Sequence, residues 1–276
     1  MNFFELGFDK FFFKFKKKNN FKKNKYWEGS STFIDPDGKK RNLLKERKKK
    51  LNDLKNEISF IKKNVKKTKK RIIDLGCGFG FFLSDFNEKW EKVGIELSNY
   101  AAEKVQKDIK IYQYDLNKIL EKEKLKKLSK FDVVFSYHVI EHLNNPINFI
   151  KNSYSLLKDN GIFVLGTPNF DSGVSRKFKK KYRFFHDKTH ISFFSENSLF
   201  RLLTICGYEI IKVDYPFFET EHFNKKNLLK LLNLKEKISP PFYGNLMTFY
   251  CRKKSKKNLK RELNFYKKNY SNLVKS

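Results

Sequence analysis

The stretch R-I-I-D-L-G-C-G-F-G, at residues 71–80, joins a short β-branched run to an acid and three glycines spaced two apart. The run predicts a strand that leads into a turn at Gly76, Gly78 and Gly80. Glycine can take positive φ there, and a ligand can approach without a Cβ in the way. Residues 81–86 are predicted to begin a helix whose N-terminal N–H groups point into the same crevice. The pattern therefore indicates a nucleotide-sized pocket at the carboxyl end of the first strand.

The glycine spacing and the acid narrow the class of nucleotide. The dinucleotide fingerprint is G-x-G-x-x-G, whereas this chain has G-x-G-x-G. Asp74 lies at the end of the strand, where a carboxylate repels a pyrophosphate and attracts an ammonium group. Both features argue against NAD and FAD.

Two further predicted strands end in residues suited to an adenosine. Glu96 lies near the end of the second strand, at residues 92–97, roughly 20 positions after Asp74, the usual distance to an acid that accepts the ribose hydroxyls. The third strand, at residues 109–114, precedes an acid that can accept from an exocyclic amine and a leucine that can cover a ring face, Asp115 and Leu116. An acid at a strand end can also cap a helix, so both interpretations stay open for Asp115.

Five ordered motifs make the chain similar to a known family. They are D-L-G-C-G-F-G (residues 74–80), G-I-E-L-S (94–98), Y-D-L (114–116), F-D-V-V-F-S-Y-H-V-I-E-H-L (131–143) and L-K-D-N-G-I-F-V-L-G-T-P-N-F (157–170). Their order and spacing resemble class I S-adenosylmethionine-dependent methyltransferases. Within that superfamily, the match is to the branch of the ubiquinone-biosynthesis O-methyltransferases and uncharacterised bacterial relatives.

The resemblance implies an α/β fold: a seven-stranded, Rossmann-like, mostly parallel sheet with helices on both faces and an antiparallel last strand. It also implies S-adenosylmethionine as the cofactor, with Glu96 at the ribose, Leu97 against the adenine and Asp115 at the adenine amine. The residues expected to bind this cofactor are Asp74, Gly76, Cys77, Gly78, Gly80, Glu96, Leu97, Asp115, Leu116 and Ser136. Cys77 is interpreted as a small residue that fills the loop.

A histidine is the natural base if the acceptor is a hydroxyl or an acidic carbon, because its pKa lies near neutrality. His138 follows the fourth strand at the mouth of the crevice, and His190 lies in H-D-K-T-H-I-S-F-F after strand five. We expect one of these two to be catalytic. The alternative, that each only orients a loop by hydrogen bonding, stays open.

His138, Glu141 and His142 also spell H-x-x-E-H, a pattern of zinc peptidases. That motif needs both histidines on one helix, whereas a predicted strand at residues 131–137 runs straight into it here. Some relatives in the resembled branch place E-x-x-E-H at this position and use it for a divalent metal, and His138 departs from that pattern. We therefore expect no metal, and we expect Glu141 and His142 to tie the loop to the sheet.

Composition divides the chain into four parts. Residues 1–25 form a basic, phenylalanine-rich arm whose pattern suits an interfacial helix, a disordered segment or an arm that caps the core. Residues 26–70 are expected to form an N-terminal helical cap, residues 71–252 the catalytic domain and residues 253–276 a basic tail.

Local signals predict the ends of several elements. D-P-D-G at residues 35–38 predicts a turn, and residues 43–65 a lysine-rich helix. Asn145 before a proline and Ser195 before an apolar stripe predict two helix starts. Gly207 is predicted to end the second of these helices.

The net charge is +31, from 61 basic and 30 acidic residues, which by itself suggests a polyanionic partner. Only 8 of the basic residues are arginines, whereas nucleic-acid readers rely on arginine for bidentate contacts. A nucleic-acid partner is therefore the less favoured interpretation. Three cysteines without C-x-x-C spacing, and the absence of an apolar stretch of membrane-spanning length, indicate the cytosol.

The predicted function is S-adenosylmethionine-dependent methyl transfer, at oxygen, to a small-molecule or glycan- or lipid-linked acceptor. Residues 173–194, rich in basic and aromatic side chains, are expected to form a lid in which Arg183 and His190 support turnover. One alternative is an RNA methyltransferase, marked by steep salt dependence of RNA binding. The other is a non-catalytic protein that binds a membrane surface through residues 1–25. The oligomeric state is open.

Overall fold

The computed structural model describes residues 3–4, 12–14, 32–34, 40–118, 128, 130–178, 182–187, 189–217 and 244–254. The strands in this part of the chain are β1 (Phe3–Phe4), β2 (Phe12–Lys14), β3 (Thr32–Ile34), β4 (Lys40–Asn42), β5 (Lys70–Leu75), β6 (Trp90–Glu96), β7 (Lys110–Gln113), β8 (Phe131–Tyr137), β9 (Leu157–Pro168), β10 (Ser192–Phe193), β11 (Tyr208–Asp214) and β12 (Leu246–Lys253).

The described α-helices are α1 (Arg47–Asp53), α2 (Lys55–Asn64), α3 (Asn99–Glu103), α4 (Pro146–Leu156), α5 (Gly173–Phe178), α6 (Arg183–His186) and α7 (Glu196–Ile205). Short 3₁₀ turns add Leu43–Glu46, Leu83–Asp85 and Ile140–His142. Within the described ranges, no helix has the length and apolar character to span a bilayer.

Seven strands form the central sheet, in the order β11-β12-β9-β8-β5-β6-β7. The pairs among β5 to β9 are parallel, whereas β12 runs antiparallel to both of its neighbours. The predicted sheet, mostly parallel with an antiparallel last strand, is confirmed. β5 lies between β6 and β8, and the strand order reverses at this point. Such a reversal opens a crevice at the carboxyl end of the strand.

Apolar clusters cover both faces of this sheet. Ile73 of β5 packs with Leu199 of α7 on one face, and the preceding Ile72 packs with Ile61 of α2 on the other. Successive side chains of a strand point to opposite faces, which explains why a continuous apolar run is needed here. The helices on both faces confirm the predicted layering.

The helix predicted over residues 81–86 is wrong, because only the 3₁₀ turn Leu83–Asp85 forms there. Phe82 stacks on Phe135 of β8 with ring centroids 3.6 Å apart. Phe86 already has an extended backbone and leads toward β6. Packing of aromatic rings into the core therefore ends the helix after one turn.

The predicted helix starts at Asn145 and Ser195 are confirmed. The Asn145 side chain accepts a hydrogen bond from the backbone N–H of Asn148 at 3.0 Å. Ser195 accepts from the N–H of Ser198 at 3.1 Å, and the Ser198 hydroxyl accepts from the N–H of Ser195 at 3.0 Å, which completes a capping box. Gly207 follows α7 with φ of 95°, as its predicted role requires.

The N-terminal region differs in part from its prediction. The helix predicted over residues 43–65 forms as α1 and α2, with a break at Leu54. β3 and β4 pair on either side of residues 35–38, which lie outside the described residues. Of the alternatives left open for residues 1–25, the interfacial helix does not form at residues 3–4 and 12–14, because β2 pairs with both β1 and β10. The high β propensity of phenylalanine and the available edge of β10 account for this.

Ser195→Ala should lower the free energy of unfolding by about 1 kcal/mol, because it removes the acceptor that caps α7. Thr204→Ala is the matched control, since Thr204 is exposed on the same helix and donates to the carbonyl of Phe200. Urea unfolding followed by circular dichroism measures both variants. Equal stability of Ser195→Ala and wild type would show that α7 does not depend on this cap.

Candidate active site

The glycine loop after β5 has the predicted left-handed backbone, with φ of 86° at Gly76, 53° at Gly78 and 70° at Gly80. A Cβ added at Gly76 would lie 2.5 Å from Cγ2 of Val139, so this glycine allows close packing against the loop after β8. At Gly78, an added Cβ would meet no atom of the described residues within 4 Å. The backbone at Gly78 therefore borders open space.

Glu96, at the end of β6, is 7% exposed and lies beside this loop. Its Oε2 accepts a hydrogen bond from the N–H of Gly78 at 2.8 Å. Its Oε1 accepts from the N–H groups of Leu97 and Ser98, each at 2.8 Å. These bonds fix the carboxylate at the crevice, next to the exposed side chain of Leu97.

Asp74 is 3% exposed at the end of β5. Burial, together with the negative charge of Glu96, raises the pKa of its carboxyl well above the usual range, and the ammonium of Lys50 opposes this only in part. A further cation beside Asp74 would restore the balance of charge. The buried carboxylate of Asp74 therefore suits the ammonium end of an amino acid.

Cys77 was interpreted as a small residue that fills the loop, and the packing around its thiol agrees with that interpretation. A Cβ added at Gly94 would lie 2.6 Å from Sγ of Cys77, so the thiol fills the space between the loop and β6. Burial, followed by the charges of Asp74 and Glu96, raises the pKa of this thiol, which disfavours a reactive thiolate.

Asp115 and Leu116 follow β7 on the same edge of the sheet. Oδ1 of Asp115 accepts from the N–H of Asn117 at 3.0 Å, so this carboxylate stabilises a local turn. Leu116 is partly buried against the main apolar cluster. This bond shows a local structural role for Asp115. The contact of the Asp115 carboxylate with an adenine amine stays a prediction.

The loop after β8 carries His138, which has φ of 58° and a side chain that is 30% exposed. Its Nδ1 lies 3.1 Å from Oε1 of Glu141, whose Oε2 accepts from the hydroxyl of Thr167 at 3.0 Å. Burial lowers the pKa of His138, although Glu141 opposes the change. Ser136, the penultimate residue of β8, is fully buried and donates to the carbonyl of Leu75 at 3.0 Å.

Residues 173–194 contribute α5, α6 and β10 around an aromatic cluster that includes Phe170. His190 lies beside this cluster, 4% exposed, with Nδ1 3.0 Å from the carbonyl of Phe184. Burial lowers its pKa to about 4. The side chain of Arg183 lies outside the described residues, so its role in turnover stays a prediction.

The sequence did not single out Glu141 as a partner of a catalytic residue. It is fully buried, and its pKa stays low because His138 and His142 outweigh the effect of burial. The spacing of His138 and Glu141 in H-x-x-E was the signal in the sequence that could have indicated this pair. The sequence also missed Lys50, whose charge acts on both Asp74 and His138.

Comparison with known proteins gives a family. The profile described as a methyltransferase domain matches residues 43–213, more than half of the chain. A ubiquinone biosynthesis O-methyltransferase of Pelagibacter ubique is 30% identical over 41% of this chain and 52% of its own length, so the chain spans about half of that relative. The uncharacterized protein MJ1123 of Methanocaldococcus jannaschii is 28% identical over 60% of this chain and 76% of its own length.

Solved structures share the fold. A SAM-dependent methyltransferase from Archaeoglobus fulgidus has a TM-score of 0.56 at 19% identity, over 76% of this chain and 98% of that one. A possible histamine N-methyltransferase from Thermotoga maritima has a TM-score of 0.52 at 20% identity, over 76% and 96%. The family match shows that this chain belongs to the methyltransferase domain family.

Proposed function

We propose that this enzyme methylates an oxygen atom of a small-molecule or glycan- or lipid-linked acceptor, with His138 as the base. The observation that carries the proposal is the hydrogen bond of 3.1 Å between Nδ1 of His138 and the buried carboxylate of Glu141. An ionised carboxylate only accepts, so Nδ1 donates and Nε2 keeps the lone pair that can take a proton. The partial exposure of His138 at the carboxyl end of β8 lets an acceptor reach it.

S-adenosylmethionine supplies an electrophilic methyl group on a sulfonium. We assign its ammonium to Asp74, its ribose hydroxyls to Glu96 and one face of its adenine to Leu97. Burial of Asp74 without full charge compensation supports the first assignment, and the 46% exposure of Leu97 supports the third. The other residues assigned to the cofactor are Gly76, Cys77, Gly78 and Gly80 in the loop, Asp115 and Leu116 at the adenine, and Ser136 in the wall.

The proposed acceptor carries its hydroxyl on, or next to, an apolar group. The ubiquinone biosynthesis O-methyltransferases among the relatives support transfer to oxygen. The partly buried rings at the edge of the aromatic cluster, Phe178, Phe185 and Phe217, support an acceptor with a ring or chain that packs against them. In this proposal, alignment of the acceptor contributes most of the rate enhancement. The residues of the chain bind the acceptor and exclude water. We place the reaction in the cytosol, where the thiols of Cys77, Cys206 and Cys251 stay free.

Asp74→Asn should weaken binding of both S-adenosylmethionine and S-adenosylhomocysteine by about 10- to 100-fold, because a charge-assisted bond to their shared ammonium contributes about 1.5–3 kcal/mol. Calorimetry measures the affinities. The ligand-free variant should unfold at no lower temperature than wild type, since burial already disfavours the charged carboxylate. Asp85→Asn, which removes a surface ion pair with Lys62, is the control. Unchanged affinity of Asp74→Asn would contradict the assignment.

Gly78→Ala and Gly76→Ala should fail in different ways. The alanine methyl at position 78 enters open space, so this variant should fold with a modest loss of about 1–2 kcal/mol while its affinity for S-adenosylhomocysteine drops. Gly76→Ala must displace Val139 as well and should unfold at a clearly lower temperature. Thermal unfolding with and without the ligand measures both. If S-adenosylhomocysteine raised the unfolding temperature of Gly78→Ala as much as that of wild type, the proposed cofactor-binding site would be refuted.

His138→Asn should lower turnover by about 10²- to 10⁴-fold and leave the affinity for S-adenosylmethionine within about twofold, because a base acts on the acceptor and not on cofactor binding. Asparagine tolerates the left-handed backbone at this position.

The test uses a series of substituted phenols of falling pKa as acceptors in a methyl-release assay. The loss in His138→Asn should shrink as the phenol becomes more acidic, since an ionised acceptor needs no base. An equal loss for all acceptors would indicate a structural role, and no loss would exclude His138 as the base.

A further inference from the structure

A line of hydrogen bonds joins the N-terminal helices to the end of β8. Glu57, in the first turn of α2, is 1% exposed, and its Oε1 accepts from the hydroxyl of Thr248 in β12 at 3.0 Å. Thr248 is also a hydrogen-bond partner of the Tyr137 hydroxyl, at the end of β8. This Glu57–Thr248–Tyr137 line therefore runs from α2 across β12 to the residue before His138.

The carboxyl of Glu57 is costly to bury in the core. Burial raises its pKa, which favours the uncharged acid. Its Oε2 has no hydrogen-bond partner within the part of the chain that the structure describes. An apolar side chain of similar size would avoid this cost, whereas it could not accept the bond from Thr248. The cost indicates that this bond has a task beyond holding α2 on the sheet.

The ring of Tyr137 supports the loop that carries His138. A Cβ added at Gly166 would lie 2.2 Å from both Cδ2 and Cε2 of Tyr137, so the ring lies directly over the backbone of β9. The ring meets the imidazole of His138 edge to face, with centroids 4.8 Å apart. The N–H of His138 donates to the carbonyl of the same Gly166 at 2.9 Å. The orientation of the Tyr137 ring therefore sets the position of the imidazole beside it.

The hydrogen bonds of the line run in one direction. Burial raises the pKa of the Tyr137 hydroxyl, which therefore stays protonated. Thr248 has one hydroxyl proton and gives it to Glu57, so the Tyr137 hydroxyl donates to Thr248. Loss of Glu57 would free the Thr248 hydroxyl to rotate, and the ring of Tyr137 would lose its fixed partner.

We propose that Glu57 is a positioning residue for methyl transfer. Through Thr248 it holds the ring of Tyr137, and this ring holds His138 toward the acceptor. The inference rests on the proposed function, because it takes the end of β8 as the acceptor side. Glu57 touches neither cofactor nor acceptor in this assignment, so it acts on turnover and not on cofactor affinity.

The double variant Glu57→Leu/Thr248→Val tests this role. It replaces both partners of a buried hydrogen bond by apolar groups of similar size, so its stability should stay close to that of wild type. Its turnover in the methyl-release assay with substituted phenols should fall by about 10- to 100-fold, since misplacement of a reacting group lowers the rate strongly. Its affinity for S-adenosylhomocysteine in calorimetry should stay within about twofold, because the line contains no residue assigned to the cofactor.

Three further variants separate positioning from a structural role. Glu57→Gln keeps an acceptor for Thr248 without a charge and should retain the turnover of wild type. Tyr137→Phe breaks the line at its other end and should lose turnover, and Glu57→Leu added to it should change little, since both remove one shared interaction. Tyr154→Phe is the control, because it removes a tyrosine hydroxyl that donates to the carbonyl of Lys254, outside the line.

Nuclear magnetic resonance gives a readout that needs no acceptor. The imidazole signals of His138, assigned by their loss in His138→Asn, should shift in the double variant and in Tyr137→Phe, and stay in place in Glu57→Gln. Unfolding curves verify that the variants fold. Either wild-type turnover or unchanged His138 signals in the double variant and Tyr137→Phe would overturn the inference, as would an equal loss in Glu57→Gln. Full turnover of His138→Asn alongside shifted signals would contradict the proposed base and still confirm that Glu57 positions the loop.

Discussion

Two buried carboxylates at the tips of neighbouring parallel strands, Asp74 and Glu96, are the constraint around which the crevice is arranged. Register places them there, because Asp74 of β5 pairs with Gly94 of β6 and Glu96 follows at the same edge. Three backbone N–H groups compensate Glu96, whereas Asp74 keeps a raised pKa. The apolar clusters on both faces of the sheet offset this electrostatic cost. Burial of these two carboxylates thus depends on the stability of the core.

Features that depend on residues a few positions apart could be predicted from the sequence. The left-handed glycines at Gly76, Gly78 and Gly80 and the caps at Asn145 and Ser195 all follow from local backbone chemistry. The seven-stranded, mostly parallel sheet and the cofactor came from the resemblance of five motifs to a family, since periodicity alone gives neither.

Features that depend on contacts between distant segments could not be predicted. Phe82 ends a helix early because it stacks on Phe135 of β8. β2 is a strand because the edge of β10 is available to it. The H-x-x-E-H pattern gave no indication of His190, which reaches Glu141 and His142 only through the folding of residues 173–194. Each case is a tertiary contact that overrides or extends a local signal.

The two sides of the crevice are organised by different carboxylates. The carboxylate of Glu96 accepts from the glycine loop on the proposed cofactor side. On the proposed acceptor side, the carboxylate of Glu141 bonds to His138 and Thr167, and the backbone carbonyl of Glu141 accepts from the N–H of Ile191. Because the two networks share none of these bonds, substitutions around Glu141 can change the acceptor seat while the cofactor seat stays intact. This separation gives a physical reason why one fold can serve many acceptors, since the loop after β8 can change while the sheet stays the same.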